Sequence, residues 1–395
     1  MPTSLDTIAT PLELTDSARA IPLRVALVIP TLVRGGAEKQ LCLLASGLRQ
    51  HGIEPHVVIL THDGPLRSEL EAAAVPVTLI GKRFRADPTA YFRLRRWLQQ
   101  WQGDVVHSWL FAANAYARQA ARSAQIPVVL GSERCIDLWK TSLHFTIDRH
   151  LARCTEGVTT NSVGVKDFYV SHGIAADKFT VIANGISPRR AATITRDEAM
   201  QRLGVDPDRR LILAVGRLWP QKRYRDLIWA AELLATTCDN TTLVIVGDGP
   251  QSGELLRHRD AVSTPVHVRF AGQRDDVAEL LPHADVFWNG SEYEGQSNAI
   301  IEAMQASVCV VATDIPGNRD LIKDRVTGRL VAPGDRADFA RVTSYLLDHP
   351  EERSRLAATG CQQIADSFTV SQMVAAHADL YRQLFASKCQ LRGKP

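Results

Sequence analysis

Glu294 and Glu302 stand eight residues apart in the stretch W-N-G-S-E-Y-E-G-Q-S-N-A-I-I-E-A-M-Q, residues 288–305. Two carboxylates can accept hydrogen bonds from several hydroxyls of one ligand, provided the chain between them turns both toward it. The pattern supplies such a turn. An apolar run ends at Phe287 and Trp288, small and acidic residues follow, and Ser297 and Asn298 open a helical repeat continued by Ile300, Ile301 and Met304. Strand, loop and helix in that order leave the N–H groups of Ser297, Asn298 and Ala299 unpaired at a helix start, where an anion such as phosphate is favoured. Gly295 and Gln296 complete the approach to that end. A place that attracts phosphate at one point and hydroxyls at others suits a nucleotide sugar. The plain alternative is that Asn298 only caps a helix and both glutamates are solvated.

Further residues of the right chemistry lie at other strand ends. In L-I-L-A-V-G-R-L-W-P-Q-K, residues 211–222, a strand delivers Arg217 at its edge and Lys222 follows a Pro-containing loop. A guanidinium fork and a point-charge ammonium together neutralise a diphosphate, although basic residues also decorate strand ends for structural reasons. Gly35 and Gly36 follow the first strand and permit backbone N–H groups to approach an anion. They do not form the G-x-G-x-x-G of a dinucleotide site, nor does G-D-G-P at 247–250. Gly272 and Gln273 end another strand, where their backbone groups would meet a base edge. His107, in D-V-V-H-S-W, is expected at a strand end facing the crevice, able to hydrogen-bond a sugar hydroxyl.

These residues need elements to hold them. Strands expected at residues 24–29, 56–60, 75–80, 104–107, 128–130, 157–160 and 178–182 alternate with helical patterns, which implies right-handed crossovers and a parallel sheet. A connection at 187–195 is followed by a second series at 211–215, 242–246, 266–270, 285–288 and 308–311. The expected architecture is therefore α/β, two Rossmann-like domains facing across a cleft. A flexible tail spans residues 1–20. The first domain spans 21–190, the second 191–369, and a final helix at about 370–387 returns to the first domain.

Bulk properties agree with a soluble globular protein: 395 residues, 45% hydrophobic and 23% charged. Seven scattered cysteines without metal spacing read as reduced and cytoplasmic, and the N-terminus has no signal-peptide pattern. Residues 24–190 carry 21 basic and 13 acidic side chains, whereas 191–395 carry 24 and 27. A basic first half suits an anionic acceptor or lipid surface, with solvated charge as the plain alternative. Within residues 82–101, Leu94, Leu98 and Trp101 form a core-facing helical stripe. The remaining arginines and aromatics are a candidate lipid-facing surface. No nucleic-acid module is present in the sequence.

G-G-A-E at 35–38, V-G-R-L with Lys222, V-G-D-G-P at 246–250 and the E-x7-E pair, taken in order, resemble the retaining glycosyltransferases of family 4, with the GT-B fold. The similarity runs from about residue 24 to 387. It implies that Arg217 and Lys222 hold a donor diphosphate that Gly36 approaches from the other domain. It also implies that Glu302 binds ribose hydroxyls, that Glu294 contacts the donor sugar, and that His107 lies near that sugar. Two departures stand out: Gln296 replaces a more often apolar or small residue, and P-G-N-R-D at 316–320 replaces Gly-Gly-x-x-Glu.

The resemblance implies a hexosyltransferase-type enzyme moving a sugar from a nucleotide-sugar donor, UDP being the expected nucleotide, to a sugar or lipid-linked acceptor hydroxyl. Surface-polysaccharide or lipid-linked glycan synthesis is the implied setting, with peripheral contact at the inner membrane face. No D-x-D stands at a matching strand end, so neither a metal nor another cofactor is expected. Competing readings are a nucleotide-sugar epimerase of the same shape and a non-catalytic nucleotide-sugar-binding scaffold.

Overall fold

Leu23–Thr31 (β1) is apolar at successive positions because both of its faces are covered. Val25, Leu27 and Ile29 enter one core cluster, and Ala26 and Val28 enter the cluster on the opposite face. The computed structural model describes residues 22–188 and 192–392, so the tail expected at 1–20 lies outside the described residues. β1 pairs in parallel with Ile53–His62 (β2) and, on its other edge, with the fourth strand. The remaining strands of this sheet are Val77–Leu79 (β3), Val105–Trp109 (β4), Val128–Glu133 (β5), Gly157–Thr160 (β6) and Phe179–Val181 (β7). Their spatial order is β3-β2-β1-β4-β5-β6-β7.

A second parallel sheet contains Arg210–Val215 (β8), Thr241–Val246 (β9), Val268–Gly272 (β10), Val286–Asn289 (β11), Cys309–Thr313 (β12) and Arg329–Val331 (β13), in the order β10-β9-β8-β11-β12-β13. Here too alternate residues of one strand serve two clusters: Ile212 and Ala214 one, Leu211 and Leu213 the other. β13 escapes the sequence reading because three residues beginning with a partly exposed arginine show neither a buried run nor an alternation.

In each sheet the chain order reverses once, between β1 and β4 and between β8 and β11. Crevices of open parallel sheets form at the carboxyl ends of strands flanking such a reversal. Gly35 and Gly36 follow β1, Arg217 follows β8, and Glu294 follows β11.

The helix Val370–Arg392 leaves the second domain and packs on the helix Gly36–Leu48. Its Met373, Val374, Ala378 and Tyr381 complete the first domain's core. In the helix Pro88–Trp101, Leu94 and Leu98 are buried, while Trp101 is half-buried and stacks 5.3 Å from Trp97. Phe84 and Phe92 are exposed, as are Arg83, Arg85 and Arg96. No helix among the described residues is long and apolar enough to cross a membrane.

Candidate functional site

The loop after β11 places Glu294 by three contacts. Its carboxylate accepts from the Ser291 hydroxyl (2.8 Å) and the Gln221 amide (3.3 Å), and pairs with the Lys222 ammonium. Lys222 ends a single 3-10 turn, Pro220–Lys222, that leads into the helix Tyr224–Ala235. Two bonds sew the loops together: Glu292 N–H donates to the Gln221 carbonyl (2.8 Å), and the Gln221 side-chain amide donates to the Tyr293 carbonyl (2.6 Å). Glu294 is buried, so most of the water that would screen this pair is excluded.

Arg217 is exposed, and its guanidinium stands 5.7 Å from the centre of the Trp219 ring. It has no ion-pair partner among the described residues. Glu38, in the first turn of the helix after Gly35 and Gly36, feels its charge across the cleft, although burial is the larger influence and raises that carboxyl. Arg217 therefore keeps its donors free for an anion, whereas Lys222 already has a carboxylate.

The helix Asn298–Gln305 starts at Ser297 with no side-chain cap, and its first internal bond is Ile301 N–H to the Ser297 carbonyl (3.2 Å). Counting the N-cap, the donors left without an intrahelical partner are those of Ser297, Asn298, Ala299 and Ile300, which include the three the sequence implied. Glu302 is open to solvent yet lies in the concavity between the domains, so the surrounding protein pushes its carboxyl up to about 7, with Lys39 of the first domain opposing.

Gly36 and Asn298 meet directly. The Asn298 amide donates to the Gly36 carbonyl (3.3 Å), and its oxygen accepts from Asn184 (2.8 Å) and Gln40 (3.4 Å). The Gln296 side chain accepts from Asn184 N–H (2.7 Å), and its carbonyl accepts from the Asn184 amide (3.2 Å). The unusual Gln296 is thus a clasp between domains. The other departure does the same: Asp320 accepts from Val163 N–H (3.0 Å) and caps a first-domain helix, Val163–Ser171, from the second domain. Gly295 is a requirement of close approach, since a Cβ there would collide with the Arg134 carbonyl.

Gly272 is the last residue of β10 and Gln273 follows it; both are exposed, with β9 between their strand and β8. Gly272 adopts φ +65, a turn conformation suited to glycine.

His107 is a correction. The expectation ended β4 at His107, but the strand continues to Trp109, which leaves His107 in the interior, fully buried, rather than facing the crevice. Both ring nitrogens are engaged, by the Tyr381 hydroxyl (2.7 Å) and the Thr159 hydroxyl (3.0 Å). Burial drives its pKa well below the usual histidine range, so it stays neutral.

Residues that the sequence reading did not select also line this place: Ser291, Gln221, Asn161, Asn184 and Arg134. With its amide donating to the Arg134 carbonyl (3.3 Å), Asn161 accepts from Gln296 N–H (3.0 Å). Each follows a strand of its sheet, which is the only signal they carried. Amides and hydroxyls at strand ends are too common to single out.

Comparison with known proteins adds a family. A model described as "Glycosyl transferases group 1" matches residues 195–363, and one described as "Glycosyltransferase Family 4" matches residues 34–190. The chain is 24% identical over 352 residues to the UDP-Gal:alpha-D-GlcNAc-diphosphoundecaprenol alpha-1,3-galactosyltransferase of Escherichia coli, covering 84% of this chain and 89% of that protein. It is 28% identical over 357 residues to the phosphatidyl-myo-inositol mannosyltransferase of Mycobacterium leprae, covering 87% and 92%. Among solved structures, Anabaena Alr3699/HepE in complex with UDP-glucose superposes with a TM-score of 0.82 at 21% identity, over 91% of this chain and 100% of that one.

Proposed function

The chain belongs to glycosyltransferase family 4, and on that premise we propose that it moves a sugar from a UDP-linked donor to an acceptor hydroxyl with retention at the anomeric carbon. The observation that carries this reading is the grouping of Arg217, the Lys222–Glu294 pair and the uncapped start of the helix Asn298–Gln305 at the reversal point of the second sheet. As the donor's glycosidic bond breaks, negative charge collects on the distal phosphate of the leaving nucleoside diphosphate. Arg217, Lys222 and the N–H groups of Asn298 and Ala299 stabilise that charge, the function a divalent metal serves elsewhere. Glu294, fixed by Ser291 and Gln221, orients the donor sugar, and Glu302 accepts from ribose hydroxyls. The acceptor attacks from the face the diphosphate leaves, and the departing phosphate takes its proton.

In this reading residues 191–369 hold the donor, and residues 21–190 with the returning helix present the acceptor. The Escherichia coli and Mycobacterium leprae relatives bear names that specify lipid-linked acceptors. Together with the basic first half, these names favour a lipid-linked or surface-glycan acceptor met at the cytosolic membrane face.

The test is donor turnover by Glu294→Ala and Lys222→Ala after screening UDP-, GDP- and ADP-sugars by thermal shift. A donor at 100-fold its Kd stabilises by about 2.7 kcal/mol. Turnover near the wild-type rate in both variants would remove the assignment.

A further inference from the structure

Arg134 follows β5 directly, and its side chain, 6% exposed, turns inward over Trp109 with its guanidinium carbon 4.4 Å from the ring centre. Its surroundings are neutral. His107, His377 and Tyr381 lie within range of its charge and are themselves buried and uncharged. Nη2 donates to the Asn184 amide oxygen, whereas Nε and Nη1 have no acceptor. No carboxylate is within ion-pair distance among the described residues, and burial lowers its pKa.

The same domain compensates its other buried cations. Arg118 lies 3.6 Å from Glu133 and 3.9 Å from Asp148, and Lys140 lies 3.2 Å from Glu133 and 2.9 Å from Asp148. Glu133 is the immediate neighbour of Arg134, yet successive strand residues point to opposite faces, and its charge is spent on the other side. A buried guanidinium left unpaired lowers stability. Such a feature persists where function requires it.

Its location supplies the function. The Arg134 carbonyl abuts Gly295, and the Asn184 that Arg134 holds donates in turn to the Gln296 carbonyl and to Asn298. The charge therefore sits at the floor of the cleft, one residue removed from the loop of Glu294.

We propose that Arg134 is the first domain's electrostatic residue for a substrate phosphate: its charge is left unbalanced by the fold and is balanced when a phosphate group occupies the cleft. It acts through the field it sets in a water-poor floor and through Asn184, not by direct contact. The inference rests on the reading of the cleft as a nucleotide-sugar site. Donor diphosphate and acceptor phosphate share the chemistry, and two arms of the test separate them.

The experiment melts the full chain as wild type, Arg134→Met, Arg134→Lys and Lys222→Ala. Each is measured alone, with the most stabilising of UDP, GDP and ADP, and with inorganic phosphate added over that nucleotide. Methionine keeps apolar volume over Trp109 and removes the charge. Arg134→Met alone is expected to melt at or above the wild-type temperature, and to bind the nucleotide at least about tenfold more weakly. Arg134→Lys is expected to restore most of the binding. Loss of the nucleotide response assigns the donor phosphate, and loss of only the added phosphate response assigns the acceptor's. An Arg134→Met chain that melts lower or fails to fold, or that keeps both responses, would overturn the inference. Lys222→Ala with unaltered nucleotide binding would instead sink the donor site itself.

Discussion

Glu294 and Lys222 hold each other in a pair whose side chains are mostly shielded from water, so each is fixed before any ligand arrives. Glu294→Gln keeps the size but replaces one carboxylate oxygen with an NH2 donor, so it can still accept from Gln221 and donate to Ser291 while Lys222 loses its charge partner. Turnover is expected to fall about 10²–10³-fold, the scale of losing one preorganised polar group at a reacting centre, and the melting temperature to fall as well, because Lys222 is left unpaired in a shielded site. Steady-state kinetics beside a thermal melt check both halves. Glu302 gives a pH dependence. Its carboxyl, raised to about 7 by the protein crowding it in the concavity between the domains, accepts ribose hydroxyls best when ionised. Nucleotide affinity should therefore rise as pH climbs through about 7 and level off above it, and Glu302→Gln should flatten the curve in a titration between pH 6 and 8. His107 belongs to a different account: substituting it acts on stability, because it fills the interior with both nitrogens satisfied.

At the scale of elements, the loop 290–297 is pressed against the first domain. Gly295 meets the Arg134 carbonyl, and Gln296 and Asn298 clasp Asn184 and Gln40. Gly295→Ala is expected to hold the domains apart, raising the donor KM about tenfold, since misplacing catalytic groups by an ångström costs up to 10²-fold. Small-angle scattering should show a larger radius of gyration than wild type. An unchanged radius and KM would show that the contact yields without consequence. Sequence reading reached this loop but carried no sign that Gln296 joins the domains, because its partner Asn184 lies more than a hundred residues away, after a strand of the other sheet.

For the molecule as a whole, the returning helix Val370–Arg392 makes the first domain depend on the end of the chain. His377 and Tyr381 come from that helix into the cluster around His107 and Trp109. His377 is held neutral by burial, its pKa lowered to about 3, and His107 lies well below the usual range. In both, the folded state refuses protons that the unfolded chain binds below about 6.5. The sign is therefore a loss of stability as pH falls from about 6.5 toward 3, each histidine contributing about 1.4 kcal/mol per pH unit. Melting temperatures measured from pH 7.5 to 4.5 should fall steeply, and His377→Phe should reduce the slope by one proton.

The local grammar of the chain settled the two parallel sheets and pointed to Arg217, Lys222, Glu294 and Glu302 as candidate groups, because strand ends and helix starts are written by neighbouring residues. Only the tertiary structure decided that His107 faces inward, that Gln296 and Asp320 join domains, and that Arg134 stands unpaired beneath the cleft. Those outcomes depend on which distant side chains arrive beside each group, and no local spacing encodes a partner's absence.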